Sequence, residues 1–156
     1  MERRNSSIRN LRMSKRVDEH PIVFYDGVCG LCNRLVRFLI QRDKQGRMRF
    51  ASLQSDFAAK VLRRHGIDPK DLDTVHVVMN YERPNEHILN RSDAILQAWY
   101  ELGGAWKVMA ALSRIVPRAV RDLAYRFVAT NRYRVFGKSE TCMLPDANQR
   151  SRFLDI

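Results

Sequence analysis

Two cysteines separated by two residues are the feature of this sequence most able to do chemistry. Cys29 and Cys32 lie in residues 25–32, which read YDGVCGLC. Residues three apart on a helix lie about 5 to 6 Å apart, which matches the Cα separation that a disulfide tolerates. The two sulfurs can therefore bond and separate with little movement of the backbone. We predict thiol-disulfide exchange, in which a redox-active dithiol carries the electrons and no organic cofactor is required.

The order of the two cysteines along the predicted helix indicates their roles. Cys29 stands at the helix start, where free backbone N–H groups and the positive helix end favour a thiolate. We predict that Cys29 attacks the partner and that Cys32 resolves the resulting mixed disulfide. Asp26 is interpreted as a proton-transfer group during exchange, while a turn or capping role for it stays open.

A buried strand followed by an amphipathic helix must hold this pair. Residues 22–25 form a continuous run of apolar strand formers, which suits a strand buried on both faces. Asp26-Gly27 ends the strand, and apolar residues then recur at helical spacing from about Cys29. The segment from Asp43 to Gly46 is expected to terminate this helix.

The rest of the chain alternates between predicted strands and helices. In order, these are a strand at Met48 and Phe50, a helix capped by Ser55 and closed by Gly66, a strand at 74–79, a hairpin strand at 87–89, and a helix capped by Ser92 that stops at Gly103-Gly104. Two helices follow, with apolar residues expected to pack into the core: Trp106, Val108, Leu112, Ile115, Val120, Leu123, Ala124 and Phe127. This order predicts an α/β layer architecture around a small mixed sheet.

The spacing Asp26-x-x-Cys29-x-x-Cys32 resembles the motif for which the DCC family of thiol-disulfide oxidoreductases is named. The resemblance extends from Pro21 to Pro145 and includes four further segments: Arg42-Asp43, residues 50–55, residues 91–94, and residues 131–134 with Phe136-Gly137. It implies a thioredoxin-like three-layer sandwich with a small mixed sheet and additional C-terminal helices. It also implies dithiol redox chemistry with protein thiols or disulfides, or with a small-thiol reductant, as partners.

The chain departs from better-studied thioredoxin-like proteins near the start of the third strand. Those proteins place a cis-proline opposite the cysteines, and neither Pro69 nor Pro84 fits that place here, which is taken by His76. His76 is interpreted either as a group close enough to Cys29 to stabilise its thiolate or as a histidine packed in the strand. Cys142 follows the last helix, and it is assigned no catalytic role.

Length and charge limit the remaining possibilities. The chain has 156 residues, with 28 Lys and Arg against 17 Asp and Glu, for a formal charge of +11. This length suits one domain, which we place at residues 20–156, preceded by a flexible basic arm at 1–19. No apolar stretch reaches the ~20 residues that a transmembrane helix needs, and the first residues lack the apolar core of an export signal. A cytoplasmic location is therefore expected.

Two other classes of function stay open. The cysteine pair is half of a zinc site that Cys142 and a histidine could complete, although the chain lacks the second closely spaced pair typical of such sites. Residues 105–138 hold eight Lys or Arg against one acidic residue, which raises nucleic acid or an anionic surface as a partner. Nucleic acid is not favoured, because no recognition motif or aromatic platform is present.

Overall fold

The computed structural model of the chain describes residues 20–138 and 145–155, so the predicted arm at 1–19 lies outside the described residues. Strands and helices follow each other in the predicted order. Their bounds are β1 Ile22–Tyr25, α1 Gly30–Arg42, β2 Arg49–Ser52, α2 Asp56–Arg64, β3 His76–Met79, β4 His87–Asn90, α3 Arg91–Leu102, α4 Gly104–Ser113 and α5 Arg118–Phe136. None of the helices in this described part is long and apolar enough to cross a membrane.

The four strands form one mixed sheet in the order β2-β1-β3-β4. β1 pairs in parallel with β2 and antiparallel with β3, and β3 pairs antiparallel with β4. Every residue of β1 is buried, as the continuous apolar run predicts for a strand inside a covered sheet. The predicted mixed α/β architecture is confirmed, and it is compatible with a thioredoxin-like fold.

Helices cover both faces of this sheet, because successive residues of a strand point to opposite faces. Val23 and Tyr25 belong to a core cluster that contains both cysteines and residues of α1 and α3. Ile22 and Phe24 belong to a second cluster that contains the buried residues of α2. The cysteines therefore lie in the layer formed by α1 and α3.

One predicted helix cap is confirmed and another is wrong. Ser55 is the N-cap of α2, and its hydroxyl accepts a hydrogen bond from the Ala58 backbone N–H at 3.1 Å. Ser92 lies inside α3, whose N-cap is Asn90. The Ser92 hydroxyl instead donates to the Asp122 carboxylate at 2.5 Å. This contact joins α3 to α5, a tertiary use of a serine that local sequence does not reveal.

Most of the apolar residues of the last two helices that were expected in the core are exposed, whereas Trp106 is half-buried against the rings of Phe38 and Trp99. Leu123 and Phe127 on α5 are 69% and 72% exposed, and Val108, Leu112, Ile115 and Val120 are also exposed. α4 packs on α3, while α5 packs on α1 and α3. No element of the described residues covers their outer sides, so helical periodicity identified the helices correctly but not what their apolar sides contact.

Candidate active site

The two cysteines lie where β1 leads into α1, as the sequence predicts. Cys29 is the N-cap residue of α1, and Cys32 lies in its first turn, which contains no acidic side chain. Both thiols are free, and they are close enough to share a hydrogen bond. The positive end of the helix therefore faces a reduced dithiol with no opposing carboxylate on the same turn.

Cys29 is completely buried, and the backbone directly after α5 contacts it. Its backbone forms an isolated β-bridge with Lys138, and the Gly30 N–H donates to the Gly137 carbonyl at 3.2 Å. A Cβ atom on Gly30 would lie 2.3 Å from the Phe136 carbonyl oxygen. Glycine is therefore needed between the cysteines so that this backbone can approach, and the approach covers Cys29.

The Cys32 thiol is held in its protonated form. Burial, followed by the adjacent Cys29 sulfur, raises the pKa of Cys32 to about 12, while Arg132 and the Asp26 backbone act in the opposite direction. A thiol with this pKa is a poor nucleophile near neutral pH, because the thiolate is the reactive form. Of the two cysteines, Cys32 is therefore suited to act second.

An apolar cavity of about 500 Å³ borders Cys32. Its walls are supplied mainly by α1, α3 and α5, and they include Leu35, Trp99 and Val128. Cys29 does not line this cavity. The two cysteines therefore face different surroundings, with a backbone cover over Cys29 and apolar open space beside Cys32.

A buried arginine lies beside the dithiol, and the residue pattern around the cysteines did not reveal it. Arg132 on α5 is 3% exposed, and its Nη2 lies 3.2 Å from the Asp26 carboxylate. Burial, the largest single cause, lowers the pKa of Arg132. The acidic groups around it, above all Tyr133 and Cys32, together have a larger effect in the opposite direction, so the pKa of Arg132 is raised. The guanidinium therefore places a fixed positive charge next to the sulfurs, where it favours a thiolate.

Asp26 is fully buried, and its carboxylate accepts from donors on three separate elements. One oxygen accepts from the Val28 backbone N–H at 3.1 Å and from Gln54 Nε2 at 2.6 Å. The other oxygen accepts from the Tyr133 hydroxyl and faces Arg132. These contacts all supply a donor or a cation, which suits an ionised carboxylate.

Tyr133 completes this cluster. Burial, followed by the hydrogen bond to Asp26, raises the pKa of the Tyr133 hydroxyl to about 12. The hydroxyl also accepts from Arg132 Nη2 at 3.1 Å. A neutral tyrosine therefore links the carboxylate to the guanidinium beside the dithiol, and we define Asp26, Arg132 and Tyr133 as the buried charge cluster.

Comparison with known proteins decides the family. The model of the family described as DCC1-like thiol-disulfide oxidoreductase matches residues 23–138. The chain belongs to this family. The Bacillus subtilis (strain 168) protein YuxK, described as uncharacterized, is 36% identical over 133 residues, which is 85% of this chain and 93% of YuxK. A DCC family protein of Arabidopsis thaliana, described as chloroplastic, is 36% identical over 127 residues, which is 81% of this chain and 71% of that protein. No solved structure matches this chain.

The sequence contained a signal for the buried charge cluster, because its residues lie in segments that resemble the family. The sequence did not indicate what those residues do. The resemblance to the DCC family already included residues 50–55, which contain Gln54, and residues 131–134, which contain Arg132 and Tyr133. In this DCC1-like domain, those two distant segments meet at Asp26. The resemblance marked the segments, and the fold supplied their contact.

His76 does not lie beside the cysteines of this DCC1-like domain. It pairs with Phe24 across β1 and β3, and Phe24 faces the cluster on the other side of the sheet. The His76 ring contacts Asn90 through Nδ1 and Oδ1 at 2.7 Å. The interpretation that His76 stabilises the Cys29 thiolate is therefore wrong, and that of a packed histidine is confirmed. The described residues contain no cis peptide bond.

We expect His76 to make the stability of the protein dependent on pH. Burial, the largest cause, lowers the pKa of His76 below its ordinary value of 6.5. The unfolded chain then binds the proton more tightly, so this stability is complete above pH 6.5 and is lost as the pH falls below it. The slope of this loss is at most about 1.4 kcal/mol per pH unit. Urea unfolding at about pH 7.5 and pH 5.5 should show a smaller loss for His76→Gln than for the wild type.

The control for this prediction is His87→Gln, because His87 is exposed at the start of β4. This variant should keep the wild-type difference in unfolding free energy between the two pH values. An identical pH dependence in His76→Gln and the wild type would contradict the prediction.

Two other sequence interpretations concern metal binding and the third cysteine. Cys142 lies outside the described residues. Within residues 20–138 and 145–155, no group of three or more His, Cys, Asp or Glu side chains is arranged to hold a metal ion. The described part of the chain therefore brings Cys29 and Cys32 together with Arg132 rather than with further metal ligands.

Proposed function

We propose that this DCC1-like protein exchanges disulfides with protein partners, or with small thiols, through Cys29 and Cys32. The observation that carries the proposal is a free, adjacent dithiol at the start of α1 beside the buried cation of Arg132. Two thiols in this position can supply the two electrons that reduce one disulfide. The matching family is named for the same activity.

The proposed reaction has two balanced steps. The Cys29 thiolate attacks a partner disulfide, so that a bond forms between Cys29 and one partner sulfur while the other partner sulfur leaves as a thiolate. Cys32 then loses its proton and attacks the Cys29 sulfur, which releases the second partner sulfur. The partner is reduced by two electrons and the Cys29–Cys32 pair is oxidised to a disulfide. The reverse sequence oxidises a dithiol partner.

The change in charge at Cys29 links the two steps. The Cys29 sulfur is one of the causes that raise the pKa of Cys32. In the mixed disulfide, Cys29 no longer carries a charge or a proton, so this cause is removed and Cys32 ionises more readily. Arg132 continues to favour the Cys32 thiolate. The first step therefore prepares the nucleophile of the second.

We assign proton acceptance from Cys32 to Asp26. Its carboxylate is buried and pairs with Arg132, which acts on the Cys32 thiol, and the Asp26 backbone hydrogen-bonds to that thiol. A buried carboxylate close to a leaving proton can accept it without solvent. The hydrogen bonds from Gln54 and Tyr133 hold this carboxylate in one orientation while the sulfurs react.

The partner reaches Cys29 when the chain after α5 moves aside. Cys29 is fully buried, and among the described residues Gly137 and Lys138 contact this part of the backbone, through the Gly30–Gly137 hydrogen bond and the bridge between Cys29 and Lys138. Local opening at the end of a helix costs less free energy than global unfolding. An extended partner strand could replace Lys138 in the bridge to Cys29, which would bring its own disulfide to the sulfur. A cytoplasmic setting with no organic cofactor remains the prediction from sequence.

Trapping the mixed disulfide tests this function. Each variant is made in a Cys142→Ser background so that only the proposed pair reacts. Reduced Cys32→Ser protein, exposed to glutathione disulfide, should retain one glutathione on Cys29, because no second thiol resolves it. The protein with both cysteines should release glutathione and form the Cys29–Cys32 disulfide. Intact mass spectrometry distinguishes these products by mass.

Cys29→Ser is the matched control, since it keeps Cys32 and removes the proposed nucleophile. It should form the glutathione adduct at least about tenfold more slowly, because burial, the largest cause of the raised pKa of Cys32, does not depend on Cys29 and leaves little thiolate. Equal adduct formation by the two single-cysteine variants would contradict the assignment of roles. Stoichiometric zinc that shields both thiols until a chelator is added would contradict the function itself.

A further inference from the structure

The outer sides of α4 and α5, with the short connection between them, carry a surface of exposed apolar side chains. Six exposed side chains define it, and we call it the α4–α5 face: Val108, Leu112, Ile115, Leu123, Phe127 and Val135. Their exposed fractions range from 58% to 78%. Single exposed apolar residues are ordinary, but six large ones on consecutive segments favour a surface that contacts a partner or a membrane.

The apolar residues on α5 follow one side of the helix. Leu123, Phe127 and Val135 are separated by four and then eight residues, which places them within an arc of about 120° at about 100° per residue. All three side chains are exposed, whereas Arg132 on the same helix is buried beside the dithiol. One side of α5 therefore packs against the protein interior, while another side exposes apolar residues to solvent.

Cations lie on this apolar side and beside it. Arg126 and Arg134 on α5 are exposed, and neither has an ion-pair partner among the described residues. On α4, Lys107 is exposed and stands next to Val108. Residues 105–138 contain eight Lys or Arg and one acidic residue, Asp122. Arg132 is buried and Arg118 and Arg121 pair with Asp93, so the positive charge that the face presents comes from cations such as Lys107, Arg126 and Arg134.

We propose that the α4–α5 face binds the surface of an anionic lipid bilayer, with α5 lying in the plane of the membrane. An interfacial helix buries Phe and Leu side chains at the boundary of the acyl chains and places Lys and Arg among the headgroups. Anionic lipids attract each such cation by about 1 kcal/mol. Both halves of this pattern are present on α5, and no described helix spans a membrane.

Other occupants fit the face less well. A second copy of the chain would bring Arg126 and Arg134 against another basic face, and like charges across an interface oppose association. A nucleic acid would engage the arginines through its phosphates but would leave the apolar centre of the face in water. A bilayer with anionic headgroups satisfies the charges and the apolar side chains together.

Vesicle sedimentation with the full chain tests the proposal independently of its redox activity. The probes are vesicles of phosphatidylcholine with about a third phosphatidylglycerol, and vesicles of phosphatidylcholine alone. The protein should sediment with the anionic vesicles and at least about tenfold less with the neutral ones. The exposed-site variant Leu123→Gln/Phe127→Gln should lose at least about tenfold in partitioning to anionic vesicles.

Two charge variants separate this face from overall charge. Arg126→Gln/Arg134→Gln should also reduce partitioning by about tenfold or more. Lys60→Gln/Arg63→Gln removes the same charge from exposed positions of α2 on the opposite side of the sheet, and it should change partitioning less than about threefold. Near-UV circular dichroism confirms that each variant is folded.

Three results would overturn the proposal. The first is a lack of sedimentation with anionic vesicles. The second is equal binding by the Leu123→Gln/Phe127→Gln variant and the wild type. The third is a dimer in sedimentation equilibrium that this variant abolishes while vesicle binding is absent, which would assign the face to a second copy. Thiol exchange is measured without vesicles, so its success or failure is independent of these three results. The test of the lipid surface is therefore separate from the test of the proposed function.

Discussion

Replacing Arg132 by methionine should reduce the free energy of unfolding by about 3 to 5 kcal/mol, a large part of the 5 to 15 kcal/mol typical of a domain. Arg132 Nη2 contacts the Asp26 carboxylate at 3.2 Å and the Leu72 carbonyl at 3.0 Å. Methionine fills similar space but leaves Asp26 buried without its counter-charge. Guanidinium unfolding of the reduced protein measures the difference.

The neighbouring acidic residue Asp73 supplies a matched control. It also pairs with Arg132 Nη2, at 3.0 Å, but its side chain is 82% exposed. Asp73→Asn should therefore change the unfolding free energy by less than about 1 kcal/mol. The double variant Asp26→Asn/Arg132→Met should be at least about 1 kcal/mol more stable than the sum of the single changes predicts, because it removes both charges. A loss below about 1 kcal/mol in Arg132→Met would show that this ion pair is not important for stability.

Replacing Asp26 by asparagine should slow the resolution of the mixed disulfide by about a hundredfold near neutral pH. Asparagine keeps the shape of the side chain but cannot accept the proton that Cys32 must lose. The deficit should narrow as the pH rises, since solvent base then removes this proton. Stopped-flow release of a chromophoric thiol from Cys29 in the Cys142→Ser background measures the rate.

Asp73→Asn is again the control, because it makes the same chemical change beside the same arginine on the surface. It should resolve the mixed disulfide at nearly the wild-type rate. Near-UV circular dichroism establishes that Asp26→Asn is folded before its rate is compared. If Asp26→Asn resolves the mixed disulfide as fast as the wild type across the pH range, Asp26 is not the proton acceptor.

The two predictions test different properties of one buried charge cluster. Arg132→Met tests whether the guanidinium offsets the buried charge of Asp26, and the readout is stability. Asp26→Asn tests whether the carboxylate moves a proton, and the readout is the pH profile of one step. A purely structural carboxylate would reduce stability without changing the pH dependence of resolution.

The unit that holds the cysteines could be predicted because its signals are local. The continuous apolar run of Ile22–Tyr25 and the helical spacing from Leu31 onward depend on a few neighbouring residues. The structure confirms the strand, the helix and the position of Cys29 at the helix start. The mixed sheet followed from the order of these elements, since β1 and β2 are joined by a helix and β3 and β4 by a hairpin.

The errors about α5 and about His76 have the same physical origin. The periodicity of a sequence indicates which residues share one side of a helix or strand, but not what packs against that side. The apolar residues of α5 recur as core residues would, yet Leu123 and Phe127 contact solvent because no described element packs over them. His76 stands at the strand position expected to face the cysteines, yet the register of β3 against β1 turns it to the opposite face. A one-residue difference in register reverses the face of every side chain in a strand.

The sequence by itself determined the dithiol, the strand and helix that carry it, and the strong positive charge, because each depends on residue type and short spacing. Only the tertiary structure decided the surroundings of the sulfurs. Arg132 and Tyr133 lie more than one hundred residues after Asp26, and they reach it only when α5 packs against α1. The backbone cover over Cys29 has the same origin. Contacts between distant segments depend on the summed packing of the whole chain, which no local pattern encodes.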